Sequence, residues 1–156
     1  MTAFLSTYLN KVDRKGRVSV PAPYRAVLAG GSFQGIIAYP SITEPTIEAF
    51  GRDLLEQMSA RRTDNSIAGG DFEQVLLGGG DGLVDTVMAL VRELPLDGEG
   101  RVILPAALTS HAGVTDLAMF VGRGNRFQIW QPEAFERHQE GAVDRLRARL
   151  GRDGPG

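Results

Sequence analysis

The chain has 156 residues, 42% apolar and 23% charged, a mixture that suits one globular domain or two very small ones sharing a core, and not a disordered chain. It contains no cysteine, which excludes disulfides, thiolate zinc sites and cysteine nucleophiles. The net charge is only −2, so where the charges lie carries more information than their sum.

The amino-terminal MTAFLSTYLNK has neither a basic leader nor a long apolar run, and no segment has the roughly 18 apolar residues of a membrane span. A cytoplasmic protein without a membrane partner is expected. Phe4–Val12, rich in aromatic and β-prone residues, predicts a strand. DRKG then turns the chain, with Asp13 and Gly16 as turn formers, into a second short strand, Arg17–Val20, with Val18 and Val20 on one face. Pro21 ends that strand because it has no N–H to donate. APYRAVLAGG predicts a short helix with Tyr24, Val27 and Leu28 on one side, and FQGIIAYP a further strand. From Thr46, read as an N-cap, Ile47, Phe50, Leu54 and Met58 follow helical spacing.

Residues 59–91 read as a linker: SARRTDNSIAGGD as a loop, then a helix within Leu83–Leu94, where eight of twelve residues are apolar, predicted to be buried either in the subunit or between subunits. A turn at DGEG, a strand Arg101–Leu104, a short helix to Gly113 and strands in LAMFVG and RFQIW follow. A closing helix is expected from Pro132 to Leu150, with residues 151–156 a disordered tail.

The second group of elements repeats the first. Residues 13–22 and 97–106 share six identities in ten, Asp, Gly, Arg, Val, Pro and Ala, at an offset of 84. EAF recurs at 48–50 and 133–135, which extends the register with a one-residue slip. Internal duplication is the economical explanation, giving modules at 1–58 and 92–150. Their charges differ. Residues 1–28 carry Lys11, Arg14, Lys15, Arg17 and Arg25 against Asp13 alone, whereas 92–111 set Arg92 and Arg101 against Glu93, Asp97 and Glu99.

DRKGR places Arg14, Lys15 and Arg17 on one hairpin tip, with Lys11 on the strand before it. A two-stranded ribbon is narrow enough for the DNA major groove, where arginine grips guanine O6 and N7 and lysine serves phosphates. Asp13 is positioned to fix the turn and aim Arg17. A basic tip also reads as a merely solvated turn, and an Asp–Arg pair around glycine as a plain hairpin stabiliser. For the second copy the structural reading is the better one: Gly98 and Glu99 replace Arg14 and Lys15, an anionic tip repels phosphate, and Asp97 and Arg101 serve as a structural pair. GGGDG at 78–82 lacks the Lys-Ser/Thr of a P-loop, and GRGNRF at 122–127 reads as a hairpin turn with two arginines. His111 and His138 have no second histidine at ligand spacing, so no metal is expected; nothing resembles a nucleophile elbow or a paired-carboxylate site, and no catalytic role, cofactor or small-molecule substrate is expected.

DRKGRVSVPAPYR resembles the SpoVT/AbrB-type DNA-binding module, a hairpin carrying Asp, Lys-Gly-Arg and a following Pro. Two Asp-x-x-x-Arg motifs, with FVGRGNRFQIW leading into a helix, are similar to the MraZ family of bacterial transcriptional regulators. The resemblance covers about 1–58 and 76–150. It implies an α+β fold in which two pseudo-symmetric, hairpin-rich AbrB-like modules pack as one β-barrel-like core with peripheral helices. It further implies ring-shaped self-assembly, binding of double-stranded DNA at promoter direct repeats of the division and cell-wall gene cluster, usually as a repressor, and association with the nucleoid. The motif positions fall on Asp13 and Arg17, Asp97 and Arg101, with Arg14 and Lys15 between the first pair. An antitoxin on the same module, or an oligomeric scaffold meeting an acidic protein partner, stand as alternatives.

Overall fold

The computed structural model describes residues 3–64 and 81–153. Within them the first half supplies β1 (Thr7–Lys11), β2 (Arg17–Ser19), α1 (Ala22–Leu28), β3 (Gly35–Pro40), β4 (Ile47–Phe50) and α2 (Arg52–Asp64). The second half supplies α3 (Asp81–Leu90), β5 (Arg92–Pro95), β6 (Arg101–Ile103), α4 (Ala106–Ala112), β7 (Leu117–Gly122), β8 (Phe127–Trp130) and α5 (Pro132–Asp153). The fold is α+β, and every strand pairing in it is antiparallel.

The halves are interleaved. The main sheet runs β1-β7-β8-β4-β3-β5, so each half's first strand pairs with the other half's third. β2 and β6 form a separate two-stranded ribbon with Val18 opposite Val102. Among the described residues no barrel closes, contrary to the expected barrel-like core. The six-stranded sheet stays open, and an isolated bridge, Val12↔Val18, links β1 to the ribbon. Pro21 and Pro105 follow the ribbon strands by two residues. They turn the chain into α1 and α4, so the ribbon is too short to zip both edges of the sheet.

One face of the sheet meets the ribbon and the two short helices. Ile36, Ala38, Ile47, Ala49, Ala118, Phe120, Phe127 and Ile129 pack there against Val18, Val20, Val102, Leu104, Tyr24, Leu28 and Leu108. Tyr24 is the hub. Its ring lies 4.9 Å from Phe127 and 5.4 Å from Phe4, and its hydroxyl donates to the Ser6 carbonyl at 2.7 Å. Burial of each valine, leucine, isoleucine or phenylalanine here contributes about 1.5–3 kcal/mol. The opposite face carries two smaller clusters: Ile37, Tyr39 and Phe50 under Met58 of α2 and Val87 of α3, and Val121 and Trp130 under Phe135 of α5.

This double coverage explains where spacing misleads. Ile47–Phe50 was expected to open a helix capped by Thr46; it is instead strand β4, with all four residues buried. A strand covered on both faces loses the apolar–polar alternation that would announce it. Thr46 does not cap a helix; its hydroxyl donates to the Ile129 carbonyl at 2.7 Å. The helix begins at Arg52, after Gly51, and carries Leu54 and Met58. The repeated EAF is therefore a coincidence of letters, one copy in β4 and the other in the first turn of α5.

Residues 59–64, read as loop, continue α2, and the rest of that expected loop lies outside the described residues. The apolar run Leu83–Leu94 divides: α3 ends at Leu90, and Leu94 is a buried residue of β5 paired with Ile36. Within the subunit Val87 is buried while Ala89 and Leu90 are exposed, so the subunit alone does not envelop this helix. The closing helix extends three residues past its expected end, to Asp153.

Tyr39 is fully buried, and its hydroxyl finds no partner among the described residues. An unmet buried hydroxyl costs about 1–3 kcal/mol. Tyr39→Phe is expected to raise unfolding stability by an amount in that range, read from the shift in denaturant midpoint at constant slope.

Candidate nucleic-acid interface

The β1–β2 turn is built around one carboxylate. The Asp13 backbone N–H donates to the Arg17 carbonyl (3.0 Å), and Gly16 N–H donates back to the Asp13 carbonyl (3.0 Å). Asp13 Oδ1 accepts the Lys15 and Arg17 backbone N–H groups, each at 2.9 Å, and Oδ2 accepts Arg17 Nε at 2.7 Å. The side chain thus fixes the turn and aims the guanidinium together. Gly16 has φ +82°, and a Cβ there would sit 3.0 Å from the Leu104 carbonyl, which requires glycine.

The β5–β6 turn repeats these bonds. Asp97 Oδ1 accepts the Glu99 and Arg101 N–H groups (2.8 and 2.9 Å), Oδ2 accepts Arg101 Nε (3.0 Å), and Gly100 takes φ +77°. The shared Asp, Gly and Arg are the residues that make the turn, which is why they recur. The turns are also stitched to each other's ribbon strands: Leu104 N–H donates to the Gly16 carbonyl and Val20 N–H to the Gly100 carbonyl.

Both aspartates are held below the usual carboxylate range, Asp13 first by the Arg17 backbone N–H and Asp97 first by that of Arg101. A lowered folded-state pKa stabilises above the unfolded value and is lost as pH falls through the folded value. Amide-exchange protection of Arg17 and Arg101 N–H is therefore expected to persist at neutral pH and to fail only below the ordinary aspartate value of 3.8.

The ribbon sorts its side chains cleanly. Val18 and Val102 face the core, so by alternation Arg17, Ser19, Arg101 and Ile103 face outward, and Ile103 is 58% exposed. Arg17 lies opposite Ile103 and Arg101 opposite Ser19, which sets the two arginine Cα atoms about 8 Å apart on one surface. Lys11, Arg14 and Lys15 are exposed beside Arg17, and no ion pair among the described residues engages them. At the second turn, Arg101 Nη2 meets Glu99 Oε1 at 3.4 Å, a contact with no counterpart at the first.

Arg25 of α1 joins this surface, although nothing in the linear sequence pairs it with the second turn. Its Nε donates to the Val20 carbonyl at 3.0 Å, and its guanidinium lies over Gly100, where a Cβ would approach it to 2.7 Å. Only the β2–β6 pairing brings them together. The arginines of GRGNRF turn inward instead: Arg123 Nε donates to Gln128 Oε1 and Arg126 Nε to Glu48 Oε1, each at 3.0 Å. The histidines flank Glu44, His111 at its carbonyl and His138 at its carboxylate. Residues 78–80 of GGGDG lie outside the described residues.

Residues 91–149 match the family profile described as "MraZ protein, putative antitoxin-like". Over 145 residues the chain is 46% identical to proteins named Transcriptional regulator MraZ from Rickettsia akari (strain Hartford) and Rickettsia felis (strain ATCC VR-1525 / URRWXCal2), covering 91% of this chain and 90% of theirs. The chain belongs to the MraZ family. A further MraZ regulator, from Rickettsia bellii (strain OSU 85-389), is 46% identical over 137 residues, 87% of this chain. The MraZ profile match takes in the second turn, β7, β8 and most of α5, while the alignments to MraZ relatives also run through the first turn's half of the chain.

Proposed function

We propose that this protein is a sequence-specific DNA-binding transcriptional regulator, a repressor, that engages promoter direct repeats through the first hairpin of each subunit. The observation that carries the reading is the first turn: a guanidinium aimed outward by Asp13, on a ribbon of groove-fitting width, beside three cations that form no ion pair among the described residues. Arg17 reads a guanine edge, and Lys11, Arg14 and Lys15 take phosphates. The relatives are named as regulators of transcription and not as enzymes.

The finer parts of the reading are proposals on the same footing. The two halves are pseudo-symmetric copies: exchanging β1 with β5, β3 with β7 and β4 with β8 returns the same sheet order. Register supports this, since Leu9↔Met119 has its counterpart in Glu93↔Ile37. The protein acts as a ring-shaped homo-oligomer on the division and cell-wall gene cluster, in the cytoplasm at the nucleoid. No helix among the described residues is long and apolar enough to cross a membrane. A ring presenting many hairpins gains avidity on spaced repeats without new contacts.

The test is a mobility-shift titration on a promoter fragment with direct repeats. Binding is expected to fall steeply with salt, with log K linear in log salt, and a single-repeat fragment to bind about 10²–10⁴-fold more weakly. Absence of binding at low salt would instead favour a scaffold for an acidic protein partner. The family profile's description favours a second reading, an antitoxin on the same module, which neutralisation of a co-purifying toxin would establish.

A further inference from the structure

The outward face of the β2–β6 ribbon is electrically lopsided. Both turns have the same hydrogen bonds, and both arginines face the same surface about 8 Å apart, so a duplex laid on Arg17 also meets the second turn. At the first turn one carboxylate, Asp13, holds one guanidinium, and two further cations stand on the tip. At the second, Arg101 is held between Asp97 at Nε and Glu99 at Nη2. Glu99 meets Arg101 through Oε1, and its side chain is 76% exposed, so its carboxylate also faces an approaching phosphate. The Asp97 bonds that close the turn use the Glu99 backbone N–H and not its side chain.

We propose that Glu99 is a specificity-determining residue that keeps the second hairpin off DNA, by occupying Arg101 and repelling phosphate, and so gives each subunit one reading hairpin and a fixed direction on the duplex. This rests on the reading of the first hairpin as the DNA contact. It follows that the site read by one subunit lacks dyad symmetry, although the ribbon holding the two turns pairs Val18 with Val102 at its centre. Two equal hairpins on such a ribbon would read an inverted repeat, whereas one active hairpin reads a directional element, as head-to-tail repeats require.

The test restores the missing cations. A Cβ on Gly98 meets nothing within 4 Å, and its φ lies outside the left-handed region. G98R/E99K therefore fits and gives the second turn the same Asp-Arg-Lys-Gly-Arg as the first. Wild type, E99Q, G98R/E99K, R17A and R17A/G98R/E99K are titrated on a mixed-sequence DNA duplex across a salt series, with folding checked by circular dichroism. The slope of log K against log salt is expected to steepen by about 1 in E99Q, as Arg101 is released, and by about 3 in G98R/E99K. R17A is expected to bind weakly and R17A/G98R/E99K to recover. Selection from a random duplex pool is expected to return a directional site for wild type and an inverted repeat for G98R/E99K. If R17A loses binding while E99Q and G98R/E99K keep the wild-type affinity and slope, the assignment of Glu99 is wrong. Wild-type binding by R17A would overturn the first-hairpin reading, and this inference with it.

Discussion

Arg17→Ala is expected to lower affinity for the specific promoter site by about tenfold to a hundredfold per engaged hairpin, the size of one lost bidentate base contact. Multivalent binding multiplies that loss, so retardation at physiological salt should vanish. The fold should survive. The Arg17 side chain is 34% exposed and bonds to Asp13 Oδ2, while the turn itself is held by backbone N–H groups on Oδ1. Arg17→Lys separates the two roles of the cation: an ammonium keeps the phosphate attraction but not the fork that grips guanine. It should retain non-specific binding and its salt slope while losing the preference for promoter over mixed-sequence DNA. Arg101→Ala, already neutralised by two carboxylates, should change little. Competition titrations with both duplexes, beside thermal unfolding of each variant, separate these outcomes.

What the sequence made legible, and what it hid, divides along local against long-range bonding. The turns were readable because Asp13, Gly16 and Arg17 bond within five residues, and the second set repeats them at a constant offset. α1 and α4 keep that offset of 84, so the short helices were legible too. Past them the register changes: β3 starts at Gly35 but β7 at Leu117, and β4 at Ile47 but β8 at Phe127. Loops of unequal length break the repeat, and the two EAF copies fall on unlike elements, β4 and α5. The swapped pairing is set by contacts 106 to 114 residues apart for β1 with β7 and 54 to 60 apart for β5 with β3. No local pattern encodes those. Arg25 over Gly100 and Glu48 beside Arg126 escaped for the same reason.

That last pair predicts the largest loss of stability. Glu48 is 1% exposed, in β4, where it pairs across to Gln128 of β8 at the seam between the two halves. Its carboxylate accepts Arg126 Nε at 3.0 Å and Gln128 Nε2 at 2.8 Å, and Gln128 Oε1 in turn accepts Arg123 Nε and Trp130 Nε1. Burial pushes the Glu48 carboxyl above the usual range, while Arg126 and Gln128 pull the other way. Arg126→Met removes the counter-ion and leaves the buried carboxylate without this ion pair. The expected loss at neutral pH is about 3–5 kcal/mol. Its pH dependence identifies the cause. With the folded pKa raised above the unfolded one, the native state holds more protons in the window between them, so stability falls as pH rises through that window. The Arg126→Met protein should therefore regain stability on mild acidification, over a wider window than wild type. Adding Glu48→Gln removes the charge itself, and the double variant should recover most of the loss at neutral pH, because a neutral amide needs no counter-ion. Trp130, the chain's single tryptophan, is buried in the same network and reports the transition by fluorescence. An Arg126→Met loss that ignored pH and persisted in the double variant would assign Arg126 to packing alone. The expected result makes the Glu48–Arg126 pair the electrostatic latch on β4 and β8, which hold the two hairpin-bearing halves together.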